Sequence, residues 1–270
     1  MVNRPGSMNK SPSHSDLLVC AVEAACAAGN HALANVRRRN EVARRFEHDV
    51  KLHLDIECQK KAEEVIRNAF PSHPVLGEEG GSFDAAANML WIVDPIDGTV
   101  NFMHGLPLWC SSVAVRAGGE VVAGAVYLPV MKECFTATLG GPAMCNGQPI
   151  HVSGTETLAT ALVLTGLSKN LGEDLHTFDV LKAVSLKVQK ARIMGAAAVD
   201  ICHVACGLAD AYIEAGIYLW DIAAAGLIAR QAGARTEVIE KLSDVRFRFL
   251  CTNGKIHHAL REVVVGALPK

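Results

Sequence analysis

Nine residues constrain this chain more than any others: Trp91-Ile92-Val93-Asp94-Pro95-Ile96-Asp97-Gly98-Thr99. The apolar opening reads as the end of a buried strand. Pro95 fixes φ and has no N–H, so the strand is expected to stop there and turn. Gly98 lets the backbone approach a ligand closely, and Thr99 offers both an N-cap and a hydroxyl. A strand that turns into a helix start with two acids sets hard oxygen ligands for Mg²⁺ beside free backbone N–H groups for a phosphate. An ordinary acidic turn is the plain alternative, and an isolated Asp-x-x-Asp-Gly does not decide between the two.

Two more segments decide. Gly77-Glu78-Glu79-Gly80-Gly81 lies upstream, and Trp220-Asp221-Ile222-Ala223-Ala224-Ala225-Gly226-Leu227 lies downstream, running on to Ala232-Gly233. In this order the three segments resemble the inositol monophosphatase family of metal-dependent phosphatases. The resemblance spans roughly Leu17 to Val265, and it implies a layered α-β-α-β-α sandwich of the inositol monophosphatase and sugar phosphatase type.

Composition sets outer limits. With 270 residues, half of them apolar, the chain suits one large domain or two close-packed lobes. A net charge of −2 predicts no attraction to nucleic acid or to an anionic membrane. Arg37-Arg38-Arg39 and Arg44-Arg45 read as a solvated helix end. Nine cysteines without a Cys-x-x-Cys pair, an odd count, predict reduced thiols and a cytoplasmic setting. Cys202 and Cys206 share a helical face for packing. His48, His53, His257 and His258 lack the spacing of a zinc site. No apolar run is long enough to span a bilayer, and Glu23 interrupts the run that imitates a signal peptide.

Residues 1–14, rich in Ser, Pro and Asn, read as a disordered extension before one domain over 15–270. Within it, lobe one is expected at about 15–152 and lobe two at about 153–270. Asp16 is the expected cap of a first helix reaching about Arg39. Val50–Asp55 alternates as a short strand or extended lead-in, and a second helix runs from about Ile56 to Phe70. Val75–Glu79 is a short strand into an acidic turn. Ser111–Arg116, Val121–Tyr127 and Glu133–Leu139 read as strands of an antiparallel sheet, with Gly140-Gly141-Pro142 and Asn146-Gly147 as turns. Beyond Ser153 the pattern becomes α/β. Strands fall at Leu162–Thr165, Lys190–Met194 and Phe249–Cys251, with helices at Asp174–Lys187, Ala197–Leu208, Asp221–Gln231 and from about Lys255 to Val265.

A phosphate monoester is doubly charged and hydrolyses very slowly unaided, so charge must be neutralised and a nucleophile supplied. Two Mg²⁺ about 4 Å apart can do both. The resemblance implies that Glu78, Asp94 and the Ile96 carbonyl hold the first ion, and that Asp94, Asp97 and Asp221 hold the second. It implies a weaker third ion at Glu78. Thr99, with Glu78 behind it, would activate the attacking water, and Asp55 would hydrogen-bond the Thr99 hydroxyl. Gly98 and Thr99 N–H groups would cradle the phosphate. Gly195, Ala197, Glu214, Asp97 and Asp221 would contact the substrate, Glu214 by accepting ring hydroxyls.

Three departures from the family stand out. Val50-Lys51-Leu52 lacks the usual Thr before Asp55, Val100 replaces a second Thr, and Ala196 replaces Thr or Ser. The expected activity is Mg²⁺-dependent, lithium-sensitive hydrolysis of myo-inositol monophosphate by a homodimer. Histidinol phosphate, fructose 1,6-bisphosphate and 3′-phosphoadenosine nucleotides are the alternative substrates. A non-catalytic relative that binds metal or a partner is the alternative of another class.

Overall fold

The structure, a computed structural model, describes residues 12–81, 87–167 and 176–268. Ser13, rather than Asp16, is the N-cap of the first helix, α1 (His14–Ala34). Its hydroxyl accepts the Asp16 N–H at 3.2 Å while the Asp16 carboxylate takes the Ser13 N–H at 3.0 Å, which satisfies two donors of the helix start. The expected extension therefore stops short of the cap, and residues 1–11 of it lie outside the described residues. The helix ends at Ala34, earlier than Arg39, and Val36–Arg38 tighten into a 3-10 turn. By length and a mean hydropathy of 1.5, α1 is apolar enough to cross a bilayer. That corrects the reading from unbroken apolar runs. Here its small face (Ala21, Ala24, Ala28, Ala32) is buried against its neighbours, as in the core helix of a globular domain.

A short antiparallel hairpin, β1 (Val42–Arg45) and β2 (Val50–Leu52), leads into α2 (His53–Ala69). This helix starts three residues before Ile56 because the Asp55 carboxylate takes the Leu52 N–H at 2.6 Å. The large sheet follows in chain order: β3 (Val75–Gly77), β4 (Met89–Asp97), β5 (Cys110–Ala117), β6 (Glu120–Leu128), β7 (Glu133–Thr138), β8 (Met144–Cys145) and β9 (Gln148–Pro149). Only β3–β4 is parallel. A six-residue helix, α3 (Thr99–His104), leaves the end of β4. Asn146 and Gly147, both at positive φ, make the tight β8–β9 turn.

The second sheet has five strands in the order β11-β10-β12-β14-β13: β10 (Leu162–Thr165), β11 (Lys190–Ile193), β12 (Ala211–Tyr218), β13 (Arg235–Lys241) and β14 (Arg246–Thr252). The helices between and after them are α4 (His176–Ser185), α5 (Ala197–Ala205), α6 (Leu219–Gln231) and α7 (His257–Ala267). The start expected for α4, Asp174, lies outside the described residues.

Three cores define the layers. The first lies between the α1–α2 pair and one face of the large sheet, the second holds α5 and α6 between the two sheets, and the third lies under α4 and α7. This is the expected α-β-α-β-α sandwich. β4 shows why the motif is so apolar. Trp91 and Val93 face the α1–α2 core while Leu90 and Ile92 face the central one, so both faces are covered and the alternation disappears.

Candidate metal and phosphate site

β4 does not stop at Pro95. It continues to Asp97, with Asp94 paired to Ser112 and Asp97 paired to Cys110. Three steps on one strand match two on the other, so one extra residue bulges out. In a regular strand Asp94 and Asp97 would point to opposite faces. The bulge turns them to the same side, and it houses a proline that has no N–H for the ladder. Ser111 Oγ fixes it by donating to the Pro95 carbonyl at 2.6 Å.

Asp221 arrives from the other layer. Ser112, the partner of Asp94, also donates its hydroxyl to the Trp220 carbonyl at 3.3 Å, which draws the start of α6 onto the large sheet. Asp221 is the third residue of α6, and its Oδ2 accepts the Tyr218 N–H at 2.9 Å. Asp94, Asp97 and Asp221 are all buried, and each offers an oxygen within 4.8 Å of the other two. Three hard oxygen donors so close repel one another unless a cation joins them, and they suit Mg²⁺ by type. The donor set therefore fits the ion the resemblance implies.

Glu78, just past the end of β3, lines the same cleft but is not one of the three acids gathered within 4.8 Å. Its N–H continues the parallel ladder to the Val93 carbonyl at 3.1 Å, beside Asp94. Gln59 braces the turn by accepting the Glu79 N–H at 2.9 Å, and the space for it exists only because residue 77 is glycine. Lys51 Nζ lies 3.1 Å from Glu79 Oε2 and 3.4 Å from the Glu78 carbonyl, so a fixed positive charge stands at this turn.

Gly98, at φ +88°, is the N-cap of α3, and Thr99 is its first residue rather than its cap. A Cβ at Gly98 would lie 3.0 Å from both Ala196 Cβ and the Leu108 carbonyl. The Thr99 hydroxyl donates to the Ile96 carbonyl at 2.9 Å. Asp55, expected at that hydroxyl, is buried at the start of α2, where it takes the Leu52 N–H, and it does not line the cleft. Asp97 receives the Ala197 N–H at 3.1 Å and the Ala198 N–H at 2.7 Å, so it caps α5. The Ala197 N–H, expected to face the substrate, is directed at Asp97 instead.

One cleft of about 240 Å³ collects these groups. Glu78, Asp94, Ile96, Asp97, Gly98, Thr99, Gly195, Ala197, Glu214 and Asp221 all line it. Glu214 is held by the hydroxyl of Tyr212, a buried phenol whose pKa is raised well above 10 by burial and by the Glu214 charge. A Cβ on Gly166 would collide with the Glu214 carboxylate, so that glycine clears its place.

Sequence reasoning missed His48, Asp49, Asn101, Asp200 and Tyr212 as lining residues. Asn101 Nδ2 donates to the Leu108 and Met194 carbonyls, both at 2.8 Å, and so ties α3 to the loop before α5. Asp200 is almost wholly buried, and its carboxyl is raised to about 9, first by burial and then by Asp97 and Glu214.

The chain matches the inositol monophosphatase family over residues 13–264. The Nus factor SuhB of Xylella fastidiosa is 32% identical over 257 residues, covering 91% of this chain and 93% of its own. The solved inositol monophosphatase of Anabaena (Nostoc) sp. superposes with a TM-score of 0.83 at 30% identity, over 94% of this chain and 97% of that one. The structure of inositol monophosphate-bound SaIMPase-II superposes at 0.78 and 25% identity, over 95% and 96%.

Proposed function

The chain belongs to the inositol monophosphatase family, and from that premise we propose that it hydrolyses myo-inositol monophosphate with Mg²⁺ as cofactor. The observation that carries the reading is the buried trio Asp94, Asp97 and Asp221, set between a helix start and the Glu214 carboxylate in one cleft. Glu78, Asp94, Asp97, Asp221 and the Ile96 carbonyl would hold two Mg²⁺. The Ile96 oxygen already accepts the Thr99 hydroxyl, and a carbonyl has a second lone pair to give. Lys51 at the acidic turn argues against the weaker third ion.

Bound Mg²⁺ would supply charge neutralisation and a water of lowered pKa. The chain supplies the rest. Backbone N–H groups of the first α3 turn bind phosphate oxygens that approach along Gly98. The Thr99 Oγ1, whose own proton points to the Ile96 carbonyl, would orient the attacking water by accepting a hydrogen bond from it, and the Glu78 carboxylate would take the proton that water loses. The Glu214 carboxylate, steadied by Tyr212, accepts hydrogen bonds from ring hydroxyls and repels a second phosphate. A neutral polyol monoester fits these groups better than a bisphosphate does. The inositol monophosphate bound to SaIMPase-II supports that substrate class.

Phosphate release with Mg²⁺, measured across inositol 1-phosphate, fructose 1,6-bisphosphate, histidinol phosphate and 3′-phosphoadenosine nucleotides, tests the reading. The highest kcat/KM is expected for inositol 1-phosphate, with EDTA abolishing turnover and LiCl, unlike NaCl, inhibiting it. A preference for another ester overturns the substrate. A second reading, a role without catalysis, is favoured by relatives named Nus factor SuhB, and no release from any ester would select it.

A further inference from the structure

Two thiols outside this site face each other between α1 and the large sheet. Cys26 lies on α1, one turn before Gly29 and Asn30. Those two residues receive Tyr127: a Cβ on Gly29 would be 2.8 Å from the ring, and Tyr127 Oη donates to Asn30 Oδ1 at 3.0 Å. In the β6–β7 ladder Tyr127 pairs directly with Cys134. Directly paired side chains leave a sheet on the same face about 5 Å apart, and one helical turn rises about 5.4 Å. The step from Tyr127 to Cys134 on the sheet therefore matches the step from Asn30 to Cys26 on α1. Cys145, the next thiol along, is on the wrong side. It pairs with Phe135, which packs into the central core on the opposite face. Cys26 and Cys134 are both free and partly exposed.

We propose that Cys26 and Cys134 are a modification site that closes a reversible disulfide on oxidation by peroxide, linking α1 to β7. Cys26 reacts first. The neighbouring Cys134 thiol lowers its pKa to about 7, while Cys134 itself is raised by the presence of Cys26 and by burial. A thiol with a pKa near ambient pH combines thiolate fraction with nucleophilicity. The Cys26 thiolate attacks one oxygen of hydrogen peroxide, the O–O bond breaks, and Cys26 becomes a sulfenic acid. The departing hydroxide takes up the proton that Cys26 had released and becomes water. Cys134 sulfur then attacks Cys26 sulfur, the S–O bond breaks, and the hydroxyl leaves with the Cys134 proton as a second water. Two thiols lose two electrons in total, and one peroxide becomes two waters.

The test uses the full chain, treated with a small excess of hydrogen peroxide, alkylated, and digested without reductant for mass spectrometry. The expected result is a Cys26–Cys134 cross-linked peptide, a fall of two in the nine thiols titrated after denaturation, and full recovery with dithiothreitol. In Cys134→Ser, Cys26 stops at the sulfenic acid and takes a dimedone label. In Cys26→Ser, Cys134 stays a thiol. A cross-link from either residue to any other cysteine overturns the proposal, and so does a Cys26 that stays reduced or accumulates as sulfinic acid in the unmutated chain.

Discussion

Glu214 and Asp200 sit in one cleft with opposite electrostatic fates, and each gives a measurable consequence. Glu214 holds its acceptor oxygens ready beside Tyr212, so Glu214→Gln should raise KM for inositol 1-phosphate about tenfold, the scale of a charge-assisted hydrogen bond worth about 1.5–3 kcal/mol. Hydrolysis of β-glycerophosphate, which has no ring to read, should change much less. Equal losses on both would place Glu214 in support of the metal site. Asp200 keeps its proton in the folded chain up to about pH 9, whereas the unfolded chain loses it near 3.8. Between those values the native state binds more protons than the unfolded one, so stability falls as pH rises. Asp200→Asn removes that loss. From pH 5 to pH 8 in EDTA, its urea unfolding free energy should gain on the unmutated chain by up to about 1.4 kcal/mol per pH unit. A constant difference across that range would show an ionised Asp200. The metal-site acids were legible because Asp-Pro-Ile-Asp-Gly-Thr and Trp-Asp-x-Ala-Ala are local motifs. Asp200 was not, because what makes it unusual is Asp97, 103 positions away in the chain, together with burial that no spacing announces.

Among the elements, the instructive failure is Pro95. The local rule that proline ends a strand is sound for a regular ladder, yet β4 carries the residue in a bulge and continues. The two rules, proline without a donor and acids three apart, are answered by one device. β13 was missed for another reason: Arg235-Thr236-Glu237-Val238-Ile239-Glu240-Lys241 lies at a sheet edge with most side chains exposed, so charge hides the pattern. α2 and β3 show packing of the opposite kind, too tight to change. A Cβ on Gly77 would lie 2.1 Å from Gln59 Oε1, and Gln59 is buried and holds the Glu79 N–H. Gly77→Ala should therefore cost about 1–3 kcal/mol in urea unfolding, from overpacking and a lost buried hydrogen bond. It should also lower turnover, since the turn that presents Glu78 shifts. Gln59→Ala costs stability alone, but in the double variant the clash is gone, so its loss should be smaller than the sum of the two single losses. Strict additivity would mean that Gly77 is chosen for something other than room for Gln59.

Across the whole molecule, the acids come from different layers: Asp94 and Asp97 from the large sheet, Asp221 from a helix of the central layer. Asp97 strengthens that junction by capping α5. A cation held by all three would bind only after the layers have packed, so its binding energy adds to folding stability. At a hundred times its Kd, Mg²⁺ should add about 2.7 kcal/mol. For a chain of this size, each kcal/mol shifts Tm by about 2–4 °C, so a rise of roughly 5–10 °C is expected. NaCl at equal ionic strength should give little, because a 1+ ion gains less from three carboxylates. Asp94→Asn separates the two roles of the trio. Without metal it should melt higher than the unmutated chain, because one of three crowded like charges is gone. With Mg²⁺ it should show most of the rise lost and turnover reduced more than tenfold, since a neutral amide cannot replace a carboxylate at the cation. A variant that melts lower in EDTA and keeps the full Mg²⁺ shift would show that the three aspartates serve the junction between layers and not a metal.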